Sequence, residues 1–271
     1  MTKLNISYNI FVVKDNYTGG YNMTYGEFAK IYDELICEDI DYNLIEKKII
    51  KIADEYNCSR DYYLDVACGT GNVSIKIARY FQLTYLVDLS EDMLQEAYEK
   101  FKKQRSNSKI ICQDMRSLSL NKKFDLITCV LDSTNYILEI EDLEKYFSCI
   151  YNHLNDNGIF VFDINSYYKL TKILGNNIFT YNEDDVFYSW ENNLENNVVN
   201  MYLTFFVKKG ELYERFEEEH FERAYKEKEI EEALSKSGLV LLKKYNGYTE
   251  NEVKEDSERI LYVVKKKGVK K

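Results

Sequence analysis

The feature of this sequence that most constrains its fold is a glycine-containing turn at the end of a strand-like run. In the segment YLDVACGTGN, Tyr63 to Asn72, the run ends at Gly69 and Gly71. Glycine adopts positive φ readily and lets a ligand approach the main chain closely. A second apolar run, Leu83 to Val87, ends at Asp88, whose carboxylate would lie beside the turn in a parallel sheet. Together the two features predict a nucleotide-binding turn in which Asp88 accepts both hydroxyls of a ribose.

Two common phosphate-binding patterns fit this turn poorly. The dinucleotide pattern G-x-G-x-x-G needs a third glycine for close helix packing, and this chain has Ser74 at that position. A phosphate-binding loop needs a lysine and a Ser or Thr after its last glycine, where this chain has Asn72 and Val73. The sequence therefore favours a nucleotide other than those bound by proteins with these two patterns.

The turn resembles motif I of the class I S-adenosylmethionine-dependent methyltransferases, which has an acidic residue, then small residues, then a Gly-x-Gly. Here these are Asp65, Ala67 with Cys68, and Gly69-Thr70-Gly71, with Ala67 standing where many members have glycine. Later segments follow the family's order: Asp88, Gln113-Asp114-Met115, Phe124-Asp125-Leu126-Ile127, and Leu154 to Gly158. The resemblance covers residues 25 to 266 and implies S-adenosylmethionine as the cofactor.

The resemblance also implies where the cofactor lies. The main chain near Ala67 would contact the methionine moiety, with Asp65 ordering either the turn or the ammonium group. Asp114 would contact the adenine amino edge, or would instead act as a capping carboxylate. Tyr25 and Tyr42 resemble flap tyrosines of sugar N-methyltransferases, although ordinary aromatic packing would explain them equally. The full expected set is Tyr25, Tyr42, Asp65, Ala67, Gly69, Gly71, Asp88, Leu89, Met93, Asp114, Met115 and Leu131.

Strand and helix patterns alternate from residue 62 to residue 164, after two helical patterns between residues 25 and 57. This alternation predicts an α/β fold with a doubly wound parallel sheet. Two terminal strand patterns, at residues 239–248 and 259–265, would complete a Rossmann-like methyltransferase sheet. We expect seven strands in it, with the last hairpin antiparallel.

Between the fifth strand and the final helix the pattern changes to alternating segments separated by Asn and Gly turns, which predicts an inserted antiparallel β lid. At the carboxyl ends of the strands such a lid would cover the cofactor's methyl group, although a dimerisation sheet is an alternative. We expect three parts: an N-terminal extension at 1–22, a cofactor-binding domain at 23–165 and 222–271, and a substrate-binding lid at 166–221.

The acceptor side is expected in the loop LDSTNY, Leu131 to Tyr136, which follows the fourth predicted strand. Its polar candidates are Asp132, Asn135 and Tyr136. His220 lies at the end of the lid pattern, and the ordinary pKa of histidine suits proton removal near neutral pH. We therefore predict His220, Tyr136 and Asp132 as the catalytic candidates, with a purely structural His220 as the alternative.

Composition excludes several other functions. A net charge of −10 argues against nucleic acid as a partner, DNA in particular. Proline is absent, which excludes the proline-containing motifs of the amino-methylating and cytosine-5 enzymes of nucleic acids. The two histidines predict no metal site. The six cysteines, at positions 37, 58, 68, 112, 129 and 149, predict buried thiols in a reducing cytoplasm. No membrane-spanning segment is expected.

We therefore expect a cytoplasmic S-adenosylmethionine-dependent methyltransferase that acts on a nitrogen or oxygen of a small molecule. A homodimer is a possible assembly. In-line displacement requires the protein to hold the nucleophile, the methyl carbon and the sulfur collinear in a dry pocket. Two alternatives stay open at this point. One is a non-catalytic protein that binds S-adenosylmethionine, and the other is a protein or RNA methyltransferase.

Overall fold

This computed structural model describes residues 10–12, 40–183 and 185–268, whose strands form two sheets. The strands, in chain order, are β1 (Ile10–Val12), β2 (Tyr62–Val66), β3 (Leu83–Asp88), β4 (Ser108–Cys112), β5 (Phe124–Cys129), β6 (Leu154–Asn165), β7 (Ile178–Glu183), β8 (Val186–Glu195), β9 (Val198–Lys209), β10 (Leu212–Arg223), β11 (Leu239–Asn246) and β12 (Arg259–Lys266).

The larger sheet has eight strands in the spatial order β1-β4-β3-β2-β5-β6-β12-β11. Strands β2 to β6 pair in parallel, and β12 is antiparallel to both β6 and β11. This confirms the predicted sheet of seven strands with an antiparallel last hairpin. The sequence did not predict β1, which pairs in parallel with β4 at the edge. The strand order changes direction between β2 and β5, and the crevice for a ligand opens at their carboxyl ends.

Helices cover both faces of this sheet. They are α1 (Tyr42–Glu55), α2 (Asn72–Ala78), α3 (Glu91–Gln104), α4 (Ile140–His153) and α5 (Glu227–Lys236). One core cluster joins α4 and α5 to the sheet, and a second joins α1 and α2 to its other face. Ser90 caps α3, because its Oγ accepts from the main-chain N of Met93 at 3.3 Å. The first of the two helices expected before the sheet lies outside the described residues, and the second is α1.

The smaller sheet contains β7 to β10, all antiparallel, and it confirms the predicted lid while adding β7 to it. Residues opposite one another on neighbouring strands share a face of the sheet. We call one face the inner face and define it by four rows across β8, β9 and β10: Tyr188–Phe205–Phe216, Trp190–Leu203–Glu218, Asn192–Met201–His220 and Leu194–Val199–Glu222.

The inner face covers the crevice end of the larger sheet. Phe205 packs on Met93 at the start of α3, and Met201 packs on Leu170 in a π-helical segment, Lys169–Leu174. The lid is therefore packed against the rest of the molecule at two places on its inner face.

Among residues 10–12, 40–183 and 185–268, no helix is both long enough and apolar enough to cross a membrane. The same part of the chain contains no group of three or more His, Cys, Asp or Glu residues arranged to hold a metal ion. The cysteines described there, at positions 58, 68, 112, 129 and 149, are free thiols.

Gly71 sets the distance between α2 and α3. It has φ of +78°, and a Cβ built on it would lie 3.1 Å from the Cβ of Ala97 and 3.5 Å from its Cα. A side chain at this position would therefore meet both backbone strain and the wall of the neighbouring helix. The glycine is required for packing as well as for turning the chain.

We expect Gly71→Ala to lower the free energy of unfolding by more than Gly210→Ala does. Gly210 is a matched control because its φ is +67° but no atom lies within 4 Å of an added Cβ, so only the left-handed strain of about 1–2 kcal/mol applies. Urea denaturation of both variants measures the difference. Equal losses would show that the contact with Ala97 contributes nothing.

Candidate active site

The turn after β2 presents its main chain to the crevice. No atom lies within 4 Å of a Cβ built on Gly69, which has φ of +53°. Ala67 also has φ of +53°, a conformation that costs a non-glycine residue about 1–2 kcal/mol. This explains why glycine suits that position, and why a small side chain is the acceptable substitute. A ligand can therefore approach the main chain of this turn closely, and the methionine moiety of the cofactor is expected at this place.

Asp88 lies beside this turn, as the sequence predicted. Its Oδ2 accepts from the main-chain N of Gly69 at 2.7 Å, and its Oδ1 accepts from that of Ser90 at 2.9 Å. Burial raises the pKa of the carboxyl, and the two main-chain donors oppose that effect. A carboxylate has about four acceptor positions, so capacity for two ribose hydroxyls remains. The carboxylate is thus oriented in advance, and the residues present fit the cofactor.

Asp65 lies beneath the turn and is only 2% exposed. The hydroxyl of Ser74 donates to Oδ2, and that of Thr128 donates to Oδ1 at 2.5 Å. Burial raises the pKa of Asp65 to about 6, because the hydroxyl donors only partly offset desolvation. Of its two expected roles, the geometry favours ordering the turn. Ser74 connects α2 to β2, which gives a physical reason for serine where the dinucleotide pattern has glycine.

The surface where adenine is expected combines exposed and covered apolar groups. Leu89 is 63% exposed, while Met93 is 5% exposed beneath Phe205 of the lid. Both flank the carboxyl end of β3, as a stacking surface for adenine would. Met115 packs partly against the main core cluster.

Asp114 has the capping role that the sequence left open as an alternative. It precedes a short 3-10 turn, Met115–Ser117, and its Oδ1 accepts from the main-chain N of Arg116 at 2.8 Å. The guanidinium of Arg116 also donates Nε to both carboxylate oxygens at 3.0 Å. Its contact with adenine stays a prediction.

Of the two tyrosines that resemble flap tyrosines, one lies within the described residues. Tyr42, at the start of α1, accepts from Nδ2 of Asn72 at 3.3 Å and therefore lies next to the glycine turn. Tyr25 lies outside the described residues. Only Tyr42 is thus placed near the cofactor site.

The loop after β5 begins with two consecutive left-handed residues, Leu131 with φ of 60° and Asp132 with φ of 56°. Asp163, at the end of β6, holds both of them. Its Oδ2 accepts from the main-chain N of Leu131 at 2.9 Å, and its Oδ1 accepts from that of Asp132 at 2.8 Å. Asp163 is fully buried and also accepts from the hydroxyl of Tyr248 and from Nη1 of Arg259, the latter at 2.6 Å. One carboxylate therefore stabilises the strained loop.

Arg259 extends this network to the lid. Its Nη2 donates to Oδ1 of Asp132 at 2.7 Å and to Oδ1 of Asn165 at 3.2 Å. Asn165 in turn donates Nδ2 to Oε2 of Glu222 on β10 at 2.8 Å. Burial, with the negative charge of Asp132 next in importance, raises the pKa of Glu222 to about 8. The acceptor loop, β12 and the lid are connected through paired polar groups.

The three catalytic candidates lie together. The hydroxyl of Tyr136 lies 3.4 Å from Nδ1 of His220, with the two rings nearly perpendicular at 85°. Burial lowers the pKa of His220, which is 7% exposed, while the charge of Asp132 opposes this effect. A neutral imidazole at the crevice can accept a proton. Asn135 is different, because it is fully buried and bonds the main chain of Asn165 at both ends of its amide.

Known proteins that are similar to this chain in sequence and fold are methyltransferases. The family described as a methyltransferase domain matches residues 64–158. A protein of Geobacillus sp. (strain WCH70), named as a methyltransferase, is 34% identical over 251 residues, which are 90% of this chain and 100% of that protein. The crystal structure of an S-adenosylmethionine-dependent methyltransferase from Clostridium acetobutylicum ATCC 824 is 51% identical, covers 90% of this chain and 99% of that one, and gives a TM-score of 0.86.

A shorter match is to the dTDP-3-amino-3,4,6-trideoxy-alpha-D-glucopyranose N,N-dimethyltransferase of Streptomyces venezuelae. It is 33% identical over 98 residues, which are 36% of this chain and 40% of that enzyme. The full-length relative and the glycine turn beside Asp88 lead to one conclusion. The chain belongs to the class I S-adenosylmethionine-dependent methyltransferases, and S-adenosylmethionine is its cofactor.

We expect Asp163→Asn to lower the free energy of unfolding by about 3–5 kcal/mol, because it leaves Arg259 with one buried partner fewer. Asp142→Asn is the control, since Asp142 pairs with Arg116 and Lys145 at the surface, where such pairs contribute about 0–1 kcal/mol. Chemical denaturation measures both. Similar small losses in the two variants would contradict the assigned role of Asp163.

Proposed function

We propose that this methyltransferase moves a methyl group by in-line displacement from S-adenosylmethionine to a nitrogen or oxygen of a small molecule. The observation that carries the proposal is the meeting of His220, Tyr136 and Asp132 at the crevice, beneath the lid. Bound S-adenosylmethionine supplies a methyl group on a positively charged sulfur. The chain itself must then orient the acceptor, exclude water and receive a proton.

Each of these tasks has a group suited to it. The network around Asp163 fixes the loop that carries Asp132 and Tyr136, and fixed geometry is the main source of rate in a displacement of this kind. The inner face of the lid contacts this loop through His220 and Tyr136, and a lid in this position would exclude water. His220 remains neutral because burial lowers its pKa, so its imidazole can take the proton that the acceptor loses.

A small acceptor is supported by the enclosure and the charge of the molecule. His220, on the inner face of the lid and in contact with Tyr136 of the loop, is only 7% exposed, which favours a compact substrate over a polymer. The net charge of −10 disfavours nucleic acid. The N,N-dimethyltransferase of Streptomyces venezuelae, an enzyme named for an amino sugar, supports nitrogen as one acceptor atom.

We expect Asp88→Ala to weaken binding of S-adenosylmethionine by about 10- to 100-fold, because hydrogen bonds to a charged group contribute roughly 1.5–3 kcal/mol. Isothermal titration calorimetry measures the affinity. Asp92→Ala is the control, since Asp92 is an exposed carboxylate in the first turn of the adjacent helix α3. Unchanged affinity in Asp88→Ala would disprove the ribose contact.

We expect His220→Gln to lower the rate of methyl transfer about 10²- to 10⁴-fold while leaving the cofactor affinity unchanged. Labelled S-adenosylmethionine with a panel of amines, phenols and carboxylates provides the assay. The wild-type rate should fall only below the ordinary pKa range of histidine, because burial lowers the pKa of His220 and the base is lost when it protonates. The variant should lack this acidic limb.

The same assay tests the proposal as a whole. Tight binding of S-adenosylmethionine with transfer to none of these acceptors would indicate a non-catalytic binding protein. Transfer to a protein or an RNA, with none to small molecules, would contradict the proposed acceptor class.

A further inference from the structure

The inner face of the lid carries acidic side chains and no basic ones. Its four rows, all within the described residues, contain two carboxylates, Glu218 and Glu222, and no lysine or arginine. His220 lies between the two carboxylates on β10, and burial favours its neutral form. Any ligand that contacts this face therefore meets carboxylates and aromatic rings.

Glu222 already has partners, but Glu218 does not. Glu222 accepts from Asn165 and is part of the network around Arg259. Among the described residues, Glu218 has no hydrogen-bond or ion-pair partner. It is half-buried, and burial alone raises the pKa of its carboxyl to about 7. A carboxylate in this setting is unfavourable until a donor or a cation pairs with it.

The neighbouring glutamates of β10 differ from Glu218 in that each has a partner. Glu217 and Glu219 lie on the opposite face of the same strand and are exposed. Glu217 pairs with Arg215, and Glu219 accepts from Nδ2 of Asn200 at 2.8 Å. Among the described residues, β10 thus has partners for Glu217, Glu219 and Glu222 and leaves Glu218 unpaired.

The surroundings of Glu218 suit an organic cation. The next row of the inner face is aromatic, and the rings of Phe205 and Phe216 stack at 4.8 Å. Aromatic faces attract ammonium groups by cation–π interaction, at about 0.5–2 kcal/mol. Leu203 lies directly opposite Glu218 and adds apolar surface for the carbon skeleton.

We propose that the methyl acceptor is a cationic small molecule whose ammonium group pairs with the carboxylate of Glu218. This inference rests on the proposed function and specifies its substrate class. Glu218 and His220 are two residues apart on one strand, roughly 7 Å along it, so the ammonium is an anchor and the reacting atom lies nearer His220. Glu218 acts in binding and takes no part in proton removal.

Trp190 offers a direct measure of binding that does not depend on methyl transfer. It is the only tryptophan of the chain and lies in the same inner-face row as Glu218. The probes are 2-phenylethylammonium and its neutral counterpart 2-phenylethanol, and a second pair is hexylammonium and hexanol. Each is titrated against the protein saturated with S-adenosylhomocysteine, and tryptophan fluorescence is recorded.

We expect the wild-type protein to bind each ammonium probe at least about tenfold more tightly than its alcohol, the ratio that about 1.4 kcal/mol provides. Glu218→Gln should abolish this preference while leaving the affinity for the alcohols and for S-adenosylhomocysteine unchanged. Glu219→Gln, the matched control on the opposite face, should retain the wild-type preference.

Two results of the binding experiment would overturn the inference. One is equal affinity of the wild-type protein for the ammonium and the alcohol in both pairs. The other is an equal loss for both probes in Glu218→Gln, which would indicate a role in shape alone. Ammonium preference without methyl transfer to any small molecule would contradict the proposed function only. Transfer to neutral acceptors that Glu218→Gln leaves unchanged would contradict this inference only.

Discussion

The buried carboxylate of Asp163 is the interaction on which the loop after β5 depends. A carboxylate inside a protein is stable only when donors and a counter-charge surround it. Asp163 obtains these from two main-chain N–H groups, from Tyr248 and from Arg259. Two of the donors are available only because Leu131 and Asp132 adopt left-handed conformations, at about 1–2 kcal/mol each. The need to pair one charge therefore determines the shape of the loop.

The same need connects the loop to the lid. Asp132, Asp163 and Glu222 provide three carboxyl groups against the cations of Arg259 and Lys169, with Asn165 accepting from both cations. Burial raises the pKa of Glu222 to about 8, so near neutral pH Glu222 is largely protonated and the imbalance is relieved. Movement of the lid away from the loop would expose these buried charged and polar side chains. The network therefore couples the position of the lid to that of the loop.

Features of the fold and site that depend on residues close together in the chain could be predicted from the sequence. The glycine turn, the strand ending at Asp88 and the alternation of the sheet are local patterns, and the structure contains them. The pairing of Asp132 with Arg259 joins residues 127 positions apart, so no local pattern could show it. The only indication was a carboxylate within the apolar run of β6, in FVFDIN. Cofactor contacts made by side chains, Asp114 above all, cannot be separated from capping by sequence alone.

The two halves of the site differ in the interactions that build them. The donor half relies on main-chain N–H groups, small residues and one oriented carboxylate, which many sequences can supply once the glycines are present. The acceptor half relies on side chains from β6, β10 and β12 whose charges must balance in the interior. A change of one of these side chains therefore leaves a buried charge without its partner unless a residue on another strand changes as well. The inner face of the lid is free of that constraint at Glu218, where a side chain can change without disturbing the buried network.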